Sequence, residues 1–266
     1  MTSSDRDRAE HFRALHEGEA FVIPNPWDAG TAKLLAALGF RALATTSSGA
    51  AFARGRPDGA LSLDEVLDHV REIVDATALP VSADLEDARG PAPPDAATAV
   101  RRAAEAGAAG GSIEDWDAQA RRILEPGAAA ERISEAVEAA HSVGTGFVLT
   151  ARAENLVHGI ADLDDTIARL VAYERAGADV LYAPGLRSVE QIRAVCAAVG
   201  RPVNVLARPD LSLAEIAAAG ARRVSVGGAL TWTAVRAVLD AAEAMRDFGD
   251  FSLLKPPPPQ LGAWLG

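Results

Sequence analysis

The sequence predicts a single α/β domain folded as a (β/α)8 barrel of the TIM type. Short apolar runs alternate eight times with amphipathic segments rich in Ala, Leu, Arg and Glu, which is the pattern of repeated βα units. The length of 266 residues suits one such barrel. No GxGxxG or Walker loop follows the first strand, and this favours a closed barrel over an open, doubly wound sheet.

The predicted strands are FVIPNPW (21–27), RALATTS (41–47), PVSADLE (80–86), AGGSIED (109–115), FVLTARAE (147–154), DVLYAP (179–184), PVNVLAR (202–208) and RRVSVGG (222–228). Helices fill the intervals between them. Ser62 and Ser188 begin capping boxes, and the Asp of PPDA is expected to cap the third helix. Glycines that end helices in a left-handed conformation are predicted at Gly39, Gly107, Gly144, Gly177, Gly200 and Gly220.

The C-terminal segment differs from the repeating pattern. We assign residues 1–250 to the barrel domain and residues 251–266, FSLLKPPPPQLGAWLG, to a Pro-rich C-terminal arm. Four consecutive prolines impose extended geometry on this arm. The segment is either a frayed tail or an arm that lies on a neighbouring subunit; we expect the second, because a frayed tail would leave Trp264 and the leucines in water.

Composition excludes several classes of partner. There are 26 Lys and Arg against 37 Asp and Glu, for a net charge of −11, which disfavours binding to nucleic acid or to an anionic membrane surface. The sequence lacks a secretory signal and any run of about 18 apolar residues that could span a membrane. Cys196 is the single cysteine, so no internal disulfide forms, and a cytoplasmic location is expected.

Two further residue types limit the chemistry. The sequence has two lysines, Lys33 in a helical pattern and Lys255 in the tail. Neither ends a strand, so a Schiff-base mechanism has no candidate. Cys196 falls on the buried face of a predicted helix and is interpreted as a small core residue.

The carboxyl ends of the predicted strands are strongly acidic. Asp84 and Glu86 share a face at the end of strand three, Glu114 and Asp115 end strand four, and Asp58 follows strand two. Any one of these carboxylates alone is better explained as a solvated loop residue or a helix cap than as a functional group. Together, converging at the mouth of a barrel, they repel one another unless a cation neutralises them. A hard divalent ion such as Mg²⁺ fits this donor set.

Strands two and five carry candidate anion-binding groups. Arg152 and Glu154 share a face of strand five, and an arginine there serves either a salt bridge or a substrate carboxylate. Residues 46–49 read TSSG. This run either offers backbone N–H groups to an anion or forms a tight turn.

These residues carry a family resemblance. The segments PNPWDAG, TTSSGAAFARGRPDG, PVSADLEDARG, GGSIED and TARAEN are similar, in order, to those of the isocitrate lyase and phosphoenolpyruvate mutase superfamily. Membership implies a (β/α)8 barrel whose eighth helix is exchanged with a partner subunit in a homodimer or homotetramer. It also implies dependence on Mg²⁺, with Mn²⁺ as a substitute, and small 2-oxo acid or carboxylate substrates.

The resemblance also assigns roles to individual residues. Asp84 resembles the direct Mg²⁺ ligand, and Asp58, Glu86 and Glu114 resemble carboxylates that hold the ion through water. The implied substrate contacts are Thr46, Ser47, Ser48, Arg152 and Asn204. An ion bound to a 2-oxo carboxylate withdraws electrons and stabilises the enolate formed when a bond at the neighbouring carbon breaks.

One segment departs from the family pattern. Lyases of the superfamily carry a Lys-Cys-Gly-His type motif after strand four, and the mutases carry a lysine and an asparagine there. The corresponding loop here, WDAQARRILEPG (116–127), contains no lysine, cysteine, histidine or asparagine, and its cations are Arg121 and Arg122. The acid or base is therefore left open among Glu114, Glu154, His158 and a metal-bound water, with Arg152 and Glu114 taken as the catalytic candidates.

The expected function is that of a Mg²⁺-dependent carbon–carbon lyase acting on a small 2-oxo or 2-hydroxy carboxylate through a metal-stabilised enolate. One alternative is P–C bond chemistry like that of phosphoenolpyruvate mutase or phosphonopyruvate hydrolase. A second alternative is a non-catalytic, carboxylate-binding barrel.

Overall fold

A computed structural model describes residues 3–90 and 92–265. Residues 1 and 2 of the predicted barrel domain, residue 91 within it and residue 266 of the predicted arm lie outside this description. The strands are β1 (Phe21–Ile23), β2 (Leu43–Ala44), β3 (Val81–Asp84), β4 (Gly110–Glu114), β5 (Trp116–Asp117), β6 (Arg122–Ile123), β7 (Val148–Arg152), β8 (Val180–Tyr182), β9 (Val203–Leu206) and β10 (Arg223–Ser225).

Eight of these strands form one parallel sheet, in the order β1-β10-β9-β8-β7-β4-β3-β2. The two ends of the sheet approach each other, because the Ala44 N–H donates to the Pro24 carbonyl (3.0 Å). The Asn25 side chain also donates to the Thr45 carbonyl (2.9 Å). The sheet is thus a nearly closed barrel, and the predicted (β/α)8 fold is confirmed.

The helices alternate with the strands as the sequence predicts. They are α1 (Ser3–Glu17), α2 (Ala29–Ala37), α3 (Ser47–Ala53), α4 (Leu63–Asp75), α5 (Pro93–Glu105), α6 (Pro126–Val143), α7 (Leu163–Arg175), α8 (Val189–Ala198), α9 (Leu213–Ala218), α10 (Ala229–Phe248) and α11 (Leu261–Leu265). Apolar side chains of these helices and of the barrel strands pack into one large buried cluster.

The predicted helix ends are mostly as observed. Ser62 and Glu65 form the expected capping box of α4. Ser188 caps α8, but the predicted box is incomplete, because the Gln191 side chain accepts from the Arg187 N–H (2.7 Å) instead. The predicted Asp cap of α5 is wrong in position, because Ala92 precedes the helix and Asp95 reaches back to accept its N–H (3.2 Å). The left-handed glycine predicted at position 200 is also wrong: Gly200 has no positive φ, and its N–H donates to Glu174 (3.0 Å).

Helix α1 closes the amino end of the barrel; the sequence shows a helical pattern around His11 and His16, but the position of this helix in the fold was not predicted. Its Phe12 and His16 side chains are buried, and Phe12 belongs to a second apolar cluster with Phe21, Val148 and Val180. The signal was present in the apolar residues at helical spacing in AEHFRALHEG. The amino end is therefore plugged, and the carboxyl end stays open for chemistry.

Helix α10 lies largely outside the packed core. Thr231 is the residue of this 20-residue helix that is buried, whereas Val238 is 69% exposed and Phe248 85% exposed. An apolar groove of about 390 Å³ runs along it, lined by Val235, Val238 and Leu239 among others. The eighth helix of the barrel thus leaves its apolar face uncovered within one chain.

The C-terminal arm turns back onto its own chain. After the prolines, the short helix α11 lies against α2, where the Lys33 ammonium donates to the Leu265 carbonyl (2.8 Å). Within one chain the arm thus contacts α2, and the contact with a neighbouring subunit stays a prediction. Within residues 3–90 and 92–265, every helix is too short or too polar to span a membrane.

Candidate active site

Two cavities open at the carboxyl ends of the barrel strands. The inner cavity, of about 280 Å³, lies within the barrel, and the outer cavity, of about 660 Å³, lies beneath the loops that follow β3 and β4. Both are lined by Ser47, Asp58, Arg152 and Glu154. The two cavities are therefore parts of one site.

Arg152, at the end of β7, occupies the centre of the site. Its guanidinium lies 2.8 Å from Asp84, 3.1 Å from Glu114 and 2.8 Å from Glu154. Burial by itself would lower the pKa of Arg152, but attraction from the three carboxylates prevails and raises the pKa well above its ordinary value. Of the two roles left open by the sequence, the structure displays the salt bridge.

Asp84 ends β3 and lines the inner cavity. Its carboxylate accepts the Ser47 N–H (3.0 Å) as well as the Arg152 guanidinium. Its own N–H donates to the Thr45 hydroxyl (2.8 Å). These bonds fix Asp84 with its carboxylate directed at the open end of the barrel.

The neighbouring carboxylates are poorly stabilised as anions. Burial, and next the charge of Asp84, raises the pKa of Glu86 to about 8 although Arg89 forms an ion pair with it. The same two causes raise the pKa of Asp58. Burial raises the pKa of Glu114 well above its usual range against the attraction of Arg152. The site therefore groups more carboxyl groups than its arginines would balance if all of them were ionised.

The donor set fits a hydrated divalent cation. The two cavities are lined by six carboxylates, on Asp58, Asp84, Glu86, Asp87, Glu114 and Glu154, and by four guanidinium groups, on Arg89, Arg121, Arg152 and Arg223. Across residues 3–90 and 92–265, no group of three or more Asp, Glu, His or Cys side chains is arranged to ligate an ion directly. Mg²⁺ ordinarily takes one or two direct carboxylates and keeps several waters. The residues present suit that mode and supply the charge it needs.

The loop after β3 adopts an uncommon backbone conformation. Glu86, Ala88 and Arg89 have φ values of 52°, 56° and 62°, a region that L-residues other than glycine rarely occupy. Such segments persist where the surrounding structure holds them, often at functional sites. The conformation turns Glu86 and Arg89 toward the outer cavity.

Arg132 of α6 holds this loop from behind. Its buried guanidinium donates to the backbone carbonyls of Asp87 (2.6 Å), Gly90 (3.0 Å) and Glu114 (2.7 Å). One side chain thus joins the loops after β3 and β4, which carry two of the predicted metal-binding carboxylates.

The segment 46–48 begins a helix and was not predicted to do so. Thr46 caps α3, and its hydroxyl lies 3.1 Å from that of Ser48. All three residues of the segment line the inner cavity. Gly49 is required here, because a Cβ at this position would lie 2.7 Å from side-chain atoms of Thr46 and Thr231.

Asn204, the predicted substrate contact on β9, lies deeper in the inner cavity. It is fully buried, donates to the Ser225 hydroxyl (2.9 Å) and accepts the Arg223 guanidinium (2.9 Å). Sequence reasoning missed Arg223 and Tyr182, which also line this cavity. Arg223 and Ser225 stand two residues apart on β10, and this spacing places both side chains on one face of the strand. That spacing was the sequence signal that could have identified Arg223.

Two acidic residues of the strand ends are structural. Asp115 is 2% exposed, and its carboxylate accepts bonds from Arg169 (3.0 Å), Tyr173 (2.6 Å) and the Glu154 N–H (2.8 Å). Asp87 accepts the N–H groups of its own loop at Arg89 and of Ala118. The Asp115 carboxylate is thus fully engaged by the fold, whereas Asp87 supports its loop and also lines the outer cavity.

The loop after β4 forms a small hairpin over the outer cavity. Strands β5 and β6 pair antiparallel, and Trp116 stacks on His158 with ring centroids 3.5 Å apart and planes 7° apart. His158 also lies 4.0 Å from Glu154. Of the five histidines, His158 was the one expected to reach a pocket, and it lines this cavity.

A (β/α)8 barrel with a charged, carboxylate-rich site at the carboxyl ends of its strands has the architecture of a barrel enzyme. Comparison with known proteins narrows that class. The family model described as phosphoenolpyruvate phosphomutase matches residues 12–246, so the chain belongs to the phosphoenolpyruvate mutase family, within the superfamily that the sequence motifs indicated. The sequence-based assignment to this superfamily is confirmed.

Individual relatives are similar over nearly the whole chain. A solved structure from Burkholderia cenocepacia J2315, provisionally described as a lyase or mutase, is 53% identical, covers 99% of this chain and 97% of its own, and has a TM-score of 0.95. Oxaloacetate decarboxylase of Rhodopseudomonas palustris strain HaA2 is 34% identical over 91% of this chain and 86% of its own.

A structure of oxaloacetate acetylhydrolase with the product oxalate is 28% identical, covers 98% of this chain and 94% of its own, and has a TM-score of 0.88. Relatives of this family are carbon–carbon lyases or mutases. The chain is therefore an enzyme of the lyase or mutase class, as the sequence predicted.

Proposed function

We propose that this enzyme is a Mg²⁺-dependent lyase that cleaves a carbon–carbon bond of a small 2-oxo or 2-hydroxy carboxylate. The observation that carries the proposal is the cluster of partly balanced carboxylates around Arg152 at the mouth of the barrel. The names of the relatives, oxaloacetate decarboxylase and oxaloacetate acetylhydrolase, support this substrate class.

Asp84 is the proposed direct ligand of the metal, and Asp58, Glu86 and Glu114 are proposed to hold it through water. Mn²⁺ is expected to substitute for Mg²⁺, because both favour oxygen donors. When bound, the ion would draw electron density from a 2-oxo carboxylate and so favour the enolate left after bond cleavage. It would also relieve the repulsion that raises the pKa values of these carboxylates.

The remaining residues bind and orient the substrate. The Thr46, Ser47 and Ser48 segment and Asn204 line the inner cavity and are proposed to contact the substrate oxygens. Arg152 is proposed to rearrange its ion pairs when the metal enters and to donate to the substrate.

A proton must be delivered without the cysteine that lyases of the superfamily use. Glu114 is proposed to hold it, because burial favours the protonated carboxyl group. The stacked Trp116 and His158 pair covers the outer cavity, where it would exclude water from the reacting atoms.

P–C bond chemistry is a second candidate, favoured by the description of the matching family model. It needs a site for a phosphonate dianion. In the outer cavity Arg89 is paired with Glu86 and Arg152 with three carboxylates, so this chemistry would depend on Arg121, which also lines that cavity.

A panel assay separates these functions. Purified enzyme is incubated with 2-oxo and 2-hydroxy acids, beginning with oxaloacetate, with Mg²⁺ or with EDTA, and products are followed by NMR. Metal-dependent cleavage of a C–C bond is the expected result, and Asp84→Asn should abolish it while the exposed Asp68→Asn does not. Phosphate release from phosphonopyruvate would instead favour P–C chemistry, and binding without any turnover would favour a carboxylate-binding barrel.

We propose in addition that α10 packs on a second copy of the chain. The helix presents an uncovered apolar groove, while its first turns contact α3 through Trp232 and Phe52, whose rings are 5.6 Å apart. A second copy, bringing an identical helix, covers this face by a symmetric exchange. The proposed state is a homodimer or a homotetramer of such pairs.

A further inference from the structure

The floor of the inner cavity contains a buried arginine without a carboxylate partner. Arg223 of β10 is 4% exposed and lines the cavity. Its guanidinium donates to Asn204 (2.9 Å) and Thr150 (3.0 Å) and lies 3.3 Å from His16 Nε2. Among the residues that the structure describes, its recorded partners are all uncharged side chains.

The contact with His16 does not neutralise this charge. His16 Nδ1 lies 2.8 Å from the Phe12 carbonyl, which can only accept, so Nδ1 carries the hydrogen and Nε2 accepts from Arg223. Burial, followed by the charge of Arg223, lowers the pKa of His16 to about 3, which keeps the ring neutral. Burial lowers the pKa of Arg223 to about 10, so the guanidinium remains protonated near neutral pH.

This environment is unlike that of Arg152. Three carboxylates balance Arg152, whereas an isolated buried charge is costly and is normally paired. The contacts described above involve three of the five N–H groups of Arg223, which leaves two donors for a ligand. The inner cavity therefore combines an acidic mouth with a cationic floor.

The walls between mouth and floor leave room for a ligand to reach Arg223. Barrel interiors are usually filled by bulky branched side chains, but here the inner cavity is lined by Ala44, Ser82, Ser112 and Ser225. These small residues, most of them hydroxyl-bearing, keep the passage open and polar. In the strand register, Arg152 pairs with Tyr182, Tyr182 with Asn204, and Asn204 with Arg223, so one continuous row of side chains joins mouth to floor.

We infer that Arg223 receives a second carboxylate of the substrate at the floor of the inner cavity and makes the enzyme selective for dicarboxylates. The inference rests on the proposed function, because it assumes that the reacting end of the substrate is held at the mouth, around Asp84 and Arg152. A charge-assisted bond to a carboxylate would supply the missing counter-charge. Because the guanidinium stabilises the carboxylate as an anion, this end of the substrate is the one that keeps its carboxylate.

Calorimetric titration of the full-length protein with succinate and with butyrate tests the inference, in the presence and absence of Mg²⁺. Both acids have four carbons, and only succinate has a carboxylate at each end. The wild-type protein should bind succinate about tenfold or more tightly than butyrate. Arg223→Gln should reduce succinate affinity to the butyrate level, and Arg222→Gln, which removes the same charge from the exposed position immediately before β10, should not.

Equal affinity of the wild-type protein for the two acids would overturn the inference without any variant, so a failure of Arg223→Gln to fold does not decide the matter. If Arg223→Gln folds, as judged by circular dichroism, and still prefers succinate, the inference is also overturned. The outcome is separable from that of the proposed function. If the protein strongly prefers succinate but cleaves no C–C bond, the binding role of Arg223 is supported and the lyase function is rejected. If it cleaves monocarboxylic and dicarboxylic acids with equal kcat/KM, the lyase function is supported and the selectivity for dicarboxylates is rejected.

Discussion

The guanidinium of Arg152 is the residue-level feature on which the site depends. It lies between Asp84, Glu114 and Glu154, and all four side chains are largely buried. Replacing it leaves three desolvated carboxylates that repel one another without a cation between them. The effect should therefore reach both stability and activity.

We predict that Arg152→Gln lowers the free energy of unfolding by about 3–5 kcal/mol, the usual cost of removing one partner of a buried ion pair. Turnover should fall at least about a hundredfold, as for loss of a charged group that contacts the substrate. Urea unfolding and steady-state kinetics measure the two effects. Arg71→Gln is the control, because Arg71 forms an exposed pair with Asp68; equal effects for the two variants would contradict the proposed role.

His69 provides a prediction for pH. Burial, followed by the charge of Arg54, lowers the pKa of His69 to about 4, and its side chain is 2% exposed. As pH falls from about 6.5 toward 4, the unfolded chain binds a proton at this histidine that the folded chain does not. Folding stability contributed by the neutral ring is thus present above pH 6.5 and is lost progressively on acidification.

The loss attributable to His69 between pH 7.5 and pH 5 is about 2 kcal/mol. His69→Leu should therefore lose correspondingly less stability over this range, while the exposed His11→Leu should behave like the wild type. Urea unfolding at the two pH values measures the difference. An identical pH dependence in all three proteins would rule out a neutral, buried His69.

At the level of elements, helix α6 positions the two loops that carry the acidic residues. Arg132 donates three bonds to backbone carbonyls of those loops, and it is 1% exposed. Its removal leaves buried carbonyl groups without donors and releases a backbone held at unfavourable φ values.

We predict that Arg132→Leu lowers the free energy of unfolding by about 3 kcal/mol or more. It should also reduce kcat more than the exposed Arg101→Leu, because Glu86 and Glu114 lose their positions. Combined urea unfolding and kinetics on both variants provide the measurement. A variant that is destabilised but keeps full kcat would show that α6 supports the fold without positioning the site.

The elements themselves were largely predictable from the sequence. All eight barrel strands lie within the predicted segments, because period-two apolar runs bounded by glycine and capping residues are local signals. The hairpin β5–β6 and the helix α3 were missed. Each is short, and each is fixed by contacts from distant elements, as in the stacking of Trp116 on His158 and the Ser47 N–H bond to Asp84.

The site residues likewise divide into those that local sequence signals predict and those that depend on contacts from distant elements. The convergence of Asp84, Glu114 and Arg152 follows from their places at strand ends. Arg223 was not predicted from the sequence. Its role depends on having no carboxylate partner among the described residues, and the position of a residue on a strand does not show this. Asp115 and Asp87 show the opposite case, in which acidic residues at strand ends serve the fold through buried hydrogen bonds.

For the whole molecule, the uncovered face of α10 predicts self-association. The wild-type chain of 27.6 kDa should elute with a mass at least twice that value by size exclusion with light scattering. Val238→Asp places a charge in the apolar groove and should shift the mass toward the monomer, while Thr233→Asp, an exposed polar position on the same helix, should not. A monomeric wild type would reject the exchange of α10.

For the whole molecule, the carboxyl end of the barrel brings together a group of acidic side chains that a divalent cation would stabilise. Binding of Mg²⁺ to the enzyme is therefore the most direct test, by calorimetric titration of the wild type, Asp84→Asn and the exposed Asp68→Asn. We expect one ion per chain in the wild type and in Asp68→Asn, with affinity reduced at least about tenfold in Asp84→Asn. Absence of Mg²⁺ binding to the wild type, or equal affinity in all three proteins, would contradict a metal site at Asp84.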